Sequence, residues 1–182
     1  MAQEINPKQT ELKEDGITAE PTQALVRRVP RAYAEHYNRE GLSISEEHVE
    51  QQHREYVRAL ESAGLKVSYV KADEDMPDCV FIEDTAVVLK RHALITGVIE
   101  RRQQELDAVE ELLRKTHAVS RLSGDARLEG GDVLHIGETT YVGLSSRTNE
   151  LGADALEAFL SEFGRKTVKM CRESGIAPTP KF

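Results

Sequence analysis

The sequence predicts an α/β fold assembled from repeated strand-strand-helix-strand units, and three observations predict it. Short β-branched runs occur in pairs, each pair is followed by a stretch with apolar residues at helical spacing, and glycines sit where the elements should end. The glycine spacing matches neither a dinucleotide-binding fingerprint nor a phosphate loop, so the α/β pattern does not carry nucleotide chemistry with it. The chain has 182 residues, 39% hydrophobic and 31% charged, which fits one soluble globular domain with a sizeable core.

Residues 1–20, "MAQEINPKQTELKEDGITAE", are too polar to offset the entropy of ordering them and are read as a flexible tail. The domain is expected from Pro21, with "QALVRRV" (23–29) as its first strand and "PRAYAEHYNREG" as a polar connection. A helix then starts at Ser43 or Ser45, whose hydroxyl can accept from a free amide of the first turn. Val49, Tyr56, Val57 and Leu60 recur at helical spacing, and Gly64 stands where a left-handed C-terminal residue is usual. "KVSYV" (66–70) closes the opening unit as a strand.

"CVFIEDTAVVL" (79–89) and "HALITGV" (92–98) read as a hairpin around Lys90 and Arg91, although that turn lacks the Asn-Gly signature. A helix follows from about Glu100 to Lys115. "RLEGGDVLHIG" and "TTYVGL" form a second strand pair around Gly137 and Glu138, and residues 148–164 form a helix with Leu156, Phe159 and Leu160 on one face. The domain is expected to end near residue 166, leaving 167–182 as a divergent tail.

Charge and composition remove several functions. A net charge of −8 provides no clustered basic footprint for nucleic acid or anionic lipid. Cys79 and Cys171 form no pairing motif and fit a reducing compartment. There is no apolar leader and no run near the ~18 residues of a membrane span, so a cytoplasmic protein with small-molecule or protein partners is expected.

Two acidic blocks stand out. Within "PDCVFIEDT", Asp78 and Asp84 are six positions apart, so on a regular strand both project to one face and Glu83 to the other. Carboxylates beside Val80 and Ile82 require water or a cation, because an unpaired buried charge is costly. A guanidinium suits them, its planar fork matching carboxylate geometry. "EGGD" (129–132) adds two more acids around a glycine pair. Taken singly, the first block also reads as a hydrated strand end and the second as a strand-entry turn.

Together, "QALVRRVP", "PDCVFIEDTAVV" and "RLEGGDVLHIGETTYVGLSSRTNELGA" resemble the dimethylarginine dimethylaminohydrolases over roughly residues 21–163. The resemblance implies a pentein, a pseudo-five-fold α/β propeller of strand-strand-helix-strand modules around a funnel-shaped site. It implies that Asp78, Glu83 and Asp84 hold the substrate guanidinium, in which case the strand must end or distort near Glu83. It assigns Glu129 to the catalytic set, orienting and charge-stabilising a histidine, and Arg147 to the α-carboxylate of an arginine-like substrate. Leu25 falls where a lid or substrate-contacting loop is expected to begin. A second carboxylate-gripping arginine is expected after "ALIT", with Arg101 favoured over Arg102. The implied reaction is cysteine attack on the guanidino carbon, departure of dimethylamine with a proton from histidine, and hydrolysis of the covalent intermediate to citrulline, with no metal or organic cofactor.

The chain departs from the resemblance after "SEFGRKTV". The expected Leu-His-Leu-Lys and Gly-Gly-x-x-Cys motifs are missing, so an incomplete propeller without its later modules is expected. Cys79, among acids, reads as a core residue, Cys171 as a tail thiol, and His135 as a strand histidine that parity could turn towards the funnel. His36, His48, His53, His92 and His117 show no ligand spacing. Three readings follow: a dimethylargininase-type hydrolase by descent, a binding module for arginine or methylated arginine, and a fragment completed by a partner or by self-association through exposed propeller faces.

Overall fold

The computed structural model describes residues 21–171; the expected tail 1–20 and the last eleven residues of the expected tail 167–182 lie outside them. The opening unit is β1 (Gln23–Arg27), α1 (Ala32–Arg39), α2 (Glu46–Ser62) and β2 (Lys66–Val70), with β1 and β2 parallel. α1 corrects the expectation of a polar connection. Its spaced signal is aromatic: Tyr33 and Tyr37, one helical turn apart, lie 4.8 Å centroid to centroid, and Tyr33 also meets Phe81 at 6.2 Å. α2 follows the sequence closely. Ser45 caps it by accepting from the His48 amide at 3.4 Å, Val57 is buried beneath it, and Gly64 takes φ 87° just past its end.

The second unit is β3 (Ala86–Leu89), β4 (His92–Ile95), α3 (Gln104–Leu113) and β5 (Ala118–Arg121). The third is β6 (Val133–Ile136), β7 (Thr139–Gly143), α4 (Glu150–Ser161) and β8 (Lys166–Met170). Each forms a three-stranded sheet from an antiparallel hairpin and a parallel third strand returned by the helix. β5 and β8 carry no alternation strong enough to be read in the sequence. Pairing with β4 and β7 makes them strands, and β8 takes the ordered fold to Met170, into the stretch read as tail.

The helices fill the spaces between sheets. Leu106, Val109 and Leu113 of α3 share a core with Val70 of the first sheet and with Ala93 and Ile95 of the second. Leu156, Leu160 and Ala153 of α4 share one with Val87, Leu89 and Leu94 of the second sheet and Val142 of the third. Full burial of such side chains contributes roughly 1.5–3 kcal/mol each to the cohesion between units.

Expectation and structure part company at 79–89. The strand is confined to Ala86–Leu89, and the segment before it is two 3-10 turns, Pro77–Val80 and Ile82–Thr85. Pro77 opens the first, its fixed φ suiting a first helical position. The parity that separated Glu83 from Asp78 and Asp84 therefore does not apply. Leu25 lies mid-strand in β1 and is partly buried against the α3 core.

Candidate functional site

The acids meet where the 3-10 turns of 77–85 touch a third short 3-10 turn, Gly130–Asp132. An antiparallel bridge between Gly97 and Leu128 brings the second segment alongside the second sheet, and the Leu128 amide donates to the Gly97 carbonyl at 3.2 Å. The glycine pair then allows backbone to approach backbone. A Cβ at Gly130 would lie well inside contact distance of the Glu83 carbonyl oxygen, and one at Gly131 would stand 2.6 Å from Asp84 Oδ1. That oxygen accepts from the Gly131 amide at 3.1 Å. "EGGD" is thus the surface that seats itself on "IEDT", which places Glu129 beside Asp84.

A buried guanidinium holds this arrangement from within. Arg102 donates to Asp84 Oδ2 at 2.6 Å, to Glu105 at 2.8–3.1 Å, and to the carbonyls of Asp78 and Phe81 at 3.1 Å each. Burial opposes its charge, but the hydrogen bonds it donates to Glu105 and Asp84 override that cost and hold the guanidinium protonated well above its ordinary range. Burial pushes Glu105 upward against the pull of Arg102 and Arg27, and Arg102 holds it through a two-pronged contact. Arg102 is therefore a brace, with its donors committed inward, while exposed Arg101 reaches Asp78 Oδ2 at 2.6 Å.

Asp78 is buried, and its other oxygen accepts from the Tyr37 hydroxyl at 2.8 Å. Burial alone would raise its pKa. The Tyr37 hydrogen bond with Arg101 and Arg102 outweighs that and holds the carboxyl below its usual range. Glu83 and Glu129 move the other way, both pushed up by burial; at Glu83 Arg102 only partly offsets this, and at Glu129 nearby Asp84 adds to it against Arg147 and Arg102. Glu129 Oε2 lies 3.1 Å from Arg147 Nε, and buried Oε1 has no hydrogen-bond partner, with Arg102 Nη1 3.9 Å away.

Asp132 fixes the Arg147 loop. Its Oδ2 accepts from Ser145 Oγ at 2.8 Å and from Thr148 Oγ1 at 2.6 Å, and Thr148 Oγ1 accepts from the Glu129 amide at 3.1 Å. The structure therefore brings together Asp78, Glu83, Asp84, Glu129, Arg101 and Arg147. Tyr37 and Glu105 were not legible as parts of it, and Arg102, the alternative to Arg101 in the sequence, takes a bracing role instead; the three-residue spacing of Arg102 and Glu105 on a helix start was the available signal.

The thiols and His135 lie apart. Cys79 is fully buried, its Sγ 3.5 Å from the Asp73 carbonyl, and burial pushes its pKa up. Cys171 is exposed. His135 Nδ1 lies 2.8 Å from Thr140 Oγ1, and burial followed by Arg165 lowers its pKa. A groove of about 520 Å³ lined by Arg27, Lys71, Asp73 and Asp107 contains none of the converging acids. Among the described residues, no group of three or more His, Cys, Asp or Glu is placed to hold a metal ion, and no helix is long and apolar enough to cross a membrane.

Stacked strand-strand-helix-strand units with a wall of acids and two flanking arginines define an α/β protein of the pentein type. A solved dimethylarginine dimethylaminohydrolase adduct with 4-chloro-2-hydroxymethylpyridine superposes with a TM-score of 0.75 at 28% identity, covering 82% of this chain and 60% of that one. Residues 29–174 match the family described as N,N dimethylarginine dimethylhydrolase, eukaryotic, and the chain belongs to that family. It is 34% identical over 117 residues to the N(G),N(G)-dimethylarginine dimethylaminohydrolase of Pseudomonas aeruginosa, covering 63% of this chain and 46% of the relative. The Streptomyces coelicolor protein of the same name is 39% identical over 115 residues, 62% of this chain and 45% of the relative. The chain thus spans less than half the length of these two relatives.

Proposed function

We propose that this chain binds the protonated guanidino group of a methylated arginine. One observation carries the reading: Asp78, Glu83, Asp84, Glu105 and Glu129 converge on three guanidinium groups, Arg101, Arg102 and Arg147, so the wall holds more carboxylate than its own cations neutralise. A guanidinium supplies the missing charge and up to five donors in a fixed plane. Asp78, Glu83 and Asp84 form the cation-holding side, and Arg101 and Arg147 take the α-carboxylate, which competes with Asp78 and Glu129 for them. Glu129, with Oε1 free, is placed to orient a histidine in the family reaction, hydrolysis of dimethylarginine to citrulline and dimethylamine through a cysteine intermediate. A Pseudomonas aeruginosa relative, as a cysteine-to-serine variant, has been solved with citrulline; it superposes with a TM-score of 0.75 at 28% identity, over 82% of this chain and 60% of that one.

Binding without turnover is the reading for this polypeptide alone. Among the described residues, Cys79 is sealed in the core and His135 is engaged with Thr140, so neither is placed to attack or protonate a ligand on the acidic wall. The two free cysteines support a reducing, cytoplasmic setting. Calorimetric titration with asymmetric dimethylarginine tests the proposal. Binding lost in Glu83→Gln and at least about tenfold weaker for uncharged citrulline is expected, since charge-assisted contacts are roughly twice as strong as neutral ones. Absence of binding at millimolar ligand would refute it. Citrulline release by the chain alone, abolished in Glu129→Gln, would refute the part that denies turnover.

A further inference from the structure

Arg27 carries a buried charge that no carboxylate meets among the described residues. It ends β1 opposite Val70 and stands only 3% exposed. Two contacts hold its guanidinium, both to backbone: Nε donates to the Lys71 carbonyl at 2.8 Å and Nη1 to the Glu105 carbonyl at 3.1 Å. A guanidinium has five N–H donors, and Nη2 makes no hydrogen bond among the described residues. Arg102, equally buried, shows the contrast, since Asp84 and Glu105 both answer its charge. A buried cation without an anion is costly, and a carboxylate reaching Nη2 would remove that cost.

Arg27 lines the groove of about 520 Å³ that lies apart from the acidic wall. One side of the groove is residues 71–74, where the chain leaves β2; the other is Gln104, Asp107, Ala108 and Glu111, a stripe at helical spacing along α3. Exposed Lys71 adds a second cation that makes no ion pair among the described residues. Two of the lining acids are already engaged, Glu74 by the Arg31 amide at 2.9 Å and Asp107 by Arg121 at 2.8 Å. Asp73 and Glu111 make no ion pair among the described residues. Two cations and two carboxylates therefore share one groove. A simple anion or a simple cation would satisfy one pair and be repelled by the other, whereas a molecule bearing both charges satisfies both. We propose that the groove is a binding site for a small zwitterionic amino acid, its carboxylate on Arg27 Nη2 and Lys71 and its ammonium on Asp73 and Glu111. The volume is that of a small-molecule site, and none of Asp78, Glu83, Asp84 or Glu129 lines it.

Amide chemical shifts of the full 182-residue chain test this. L-Alanine and 4-aminobutyrate are the probes, with propionate and ethylammonium as single-charge controls at equal ionic strength. At least one amino acid is expected to shift the amides of 71–74 and 104–111 saturably, with a midpoint of roughly 1–10 mM. Each control should bind about tenfold more weakly, having lost one charge-assisted contact. Lys71→Ala and Glu111→Gln alter exposed side chains and should leave the melting temperature unchanged. The first should weaken the amino acid and propionate by about tenfold, the second the amino acid and ethylammonium. Arg27→Gln should abolish saturation, and if that variant does not fold the two surface substitutions decide. Propionate binding as tightly as both amino acids would overturn the proposal. So would the absence of saturable shifts at about 50 mM, or shifts indifferent to both surface substitutions. Glu83→Gln, which should abolish guanidino binding, is expected to leave the groove titration unchanged, so failure of that reading is distinguishable from failure here.

Discussion

Replacing Arg102 tests the physical basis of the site most directly. Its guanidinium is buried and holds Asp84, Glu105 and the carbonyls of Asp78 and Phe81. Arg102→Ala leaves two buried carboxylates without their main cation and two carbonyls without donors. Breaking one side of a buried ion pair costs about 3–5 kcal/mol, and that range is expected here. For a domain of this size it lowers the melting temperature by roughly 6–20 °C, at about 2–4 °C per kcal/mol. Arg102→Lys retains charge but not the planar fork, and should fall between Ala and wild type while remaining folded. Arg101→Ala is the control, since Arg101 is exposed and such pairs contribute about 0–1 kcal/mol. Thermal and urea unfolding followed by circular dichroism reads all three. Equal losses for Arg101→Ala and Arg102→Ala, or a loss below about 1 kcal/mol for Arg102→Ala, would refute the assignment of Arg102 as the brace.

Three further outcomes are expected. Glu129 is raised in the folded state, so its ionised form destabilises the protein increasingly as pH rises through the range above the ordinary glutamate value; Glu129→Gln should melt higher than wild type at neutral pH, with the difference vanishing in acid, and a lower melting temperature at pH 7 would contradict this. Asp78 is depressed, so its contribution is present above the unfolded carboxylate range and lost as pH falls; Tyr37→Phe should cost about 1 kcal/mol at neutral pH and less in acid, read from pH-dependent urea curves. Gly130→Ala should cost about 3 kcal/mol and exceed Gly131→Ala, because the added methyl meets the Glu83 carbonyl more closely at the first position than it meets the Asp84 carboxylate at the second; equal unfolding midpoints would count against the seating of one acidic turn on the other.

By itself the sequence determined the α/β class, the two hairpins, the capped α2 and the principal acids, because these rest on local signals: β-branched pairs, helical spacing, Ser45 and Gly64, and carboxylates clustered around Pro77 and the glycine pair. α1 was missed because its signal is aromatic, and β5 and β8 because parallel pairing supplies what alternation does not. Only the tertiary structure decided that 77–85 is two 3-10 turns, which brings Glu83 to the wall from which a regular strand would have excluded it. It also separated Arg101 from Arg102, one exposed on Asp78 and the other sealed between Asp84 and Glu105. The physical reason is the same in each case. A residue's chemical type is fixed locally, but its burial and its ion partners come from segments tens of residues away, and those decide whether an arginine braces a fold or stays exposed beside an acid.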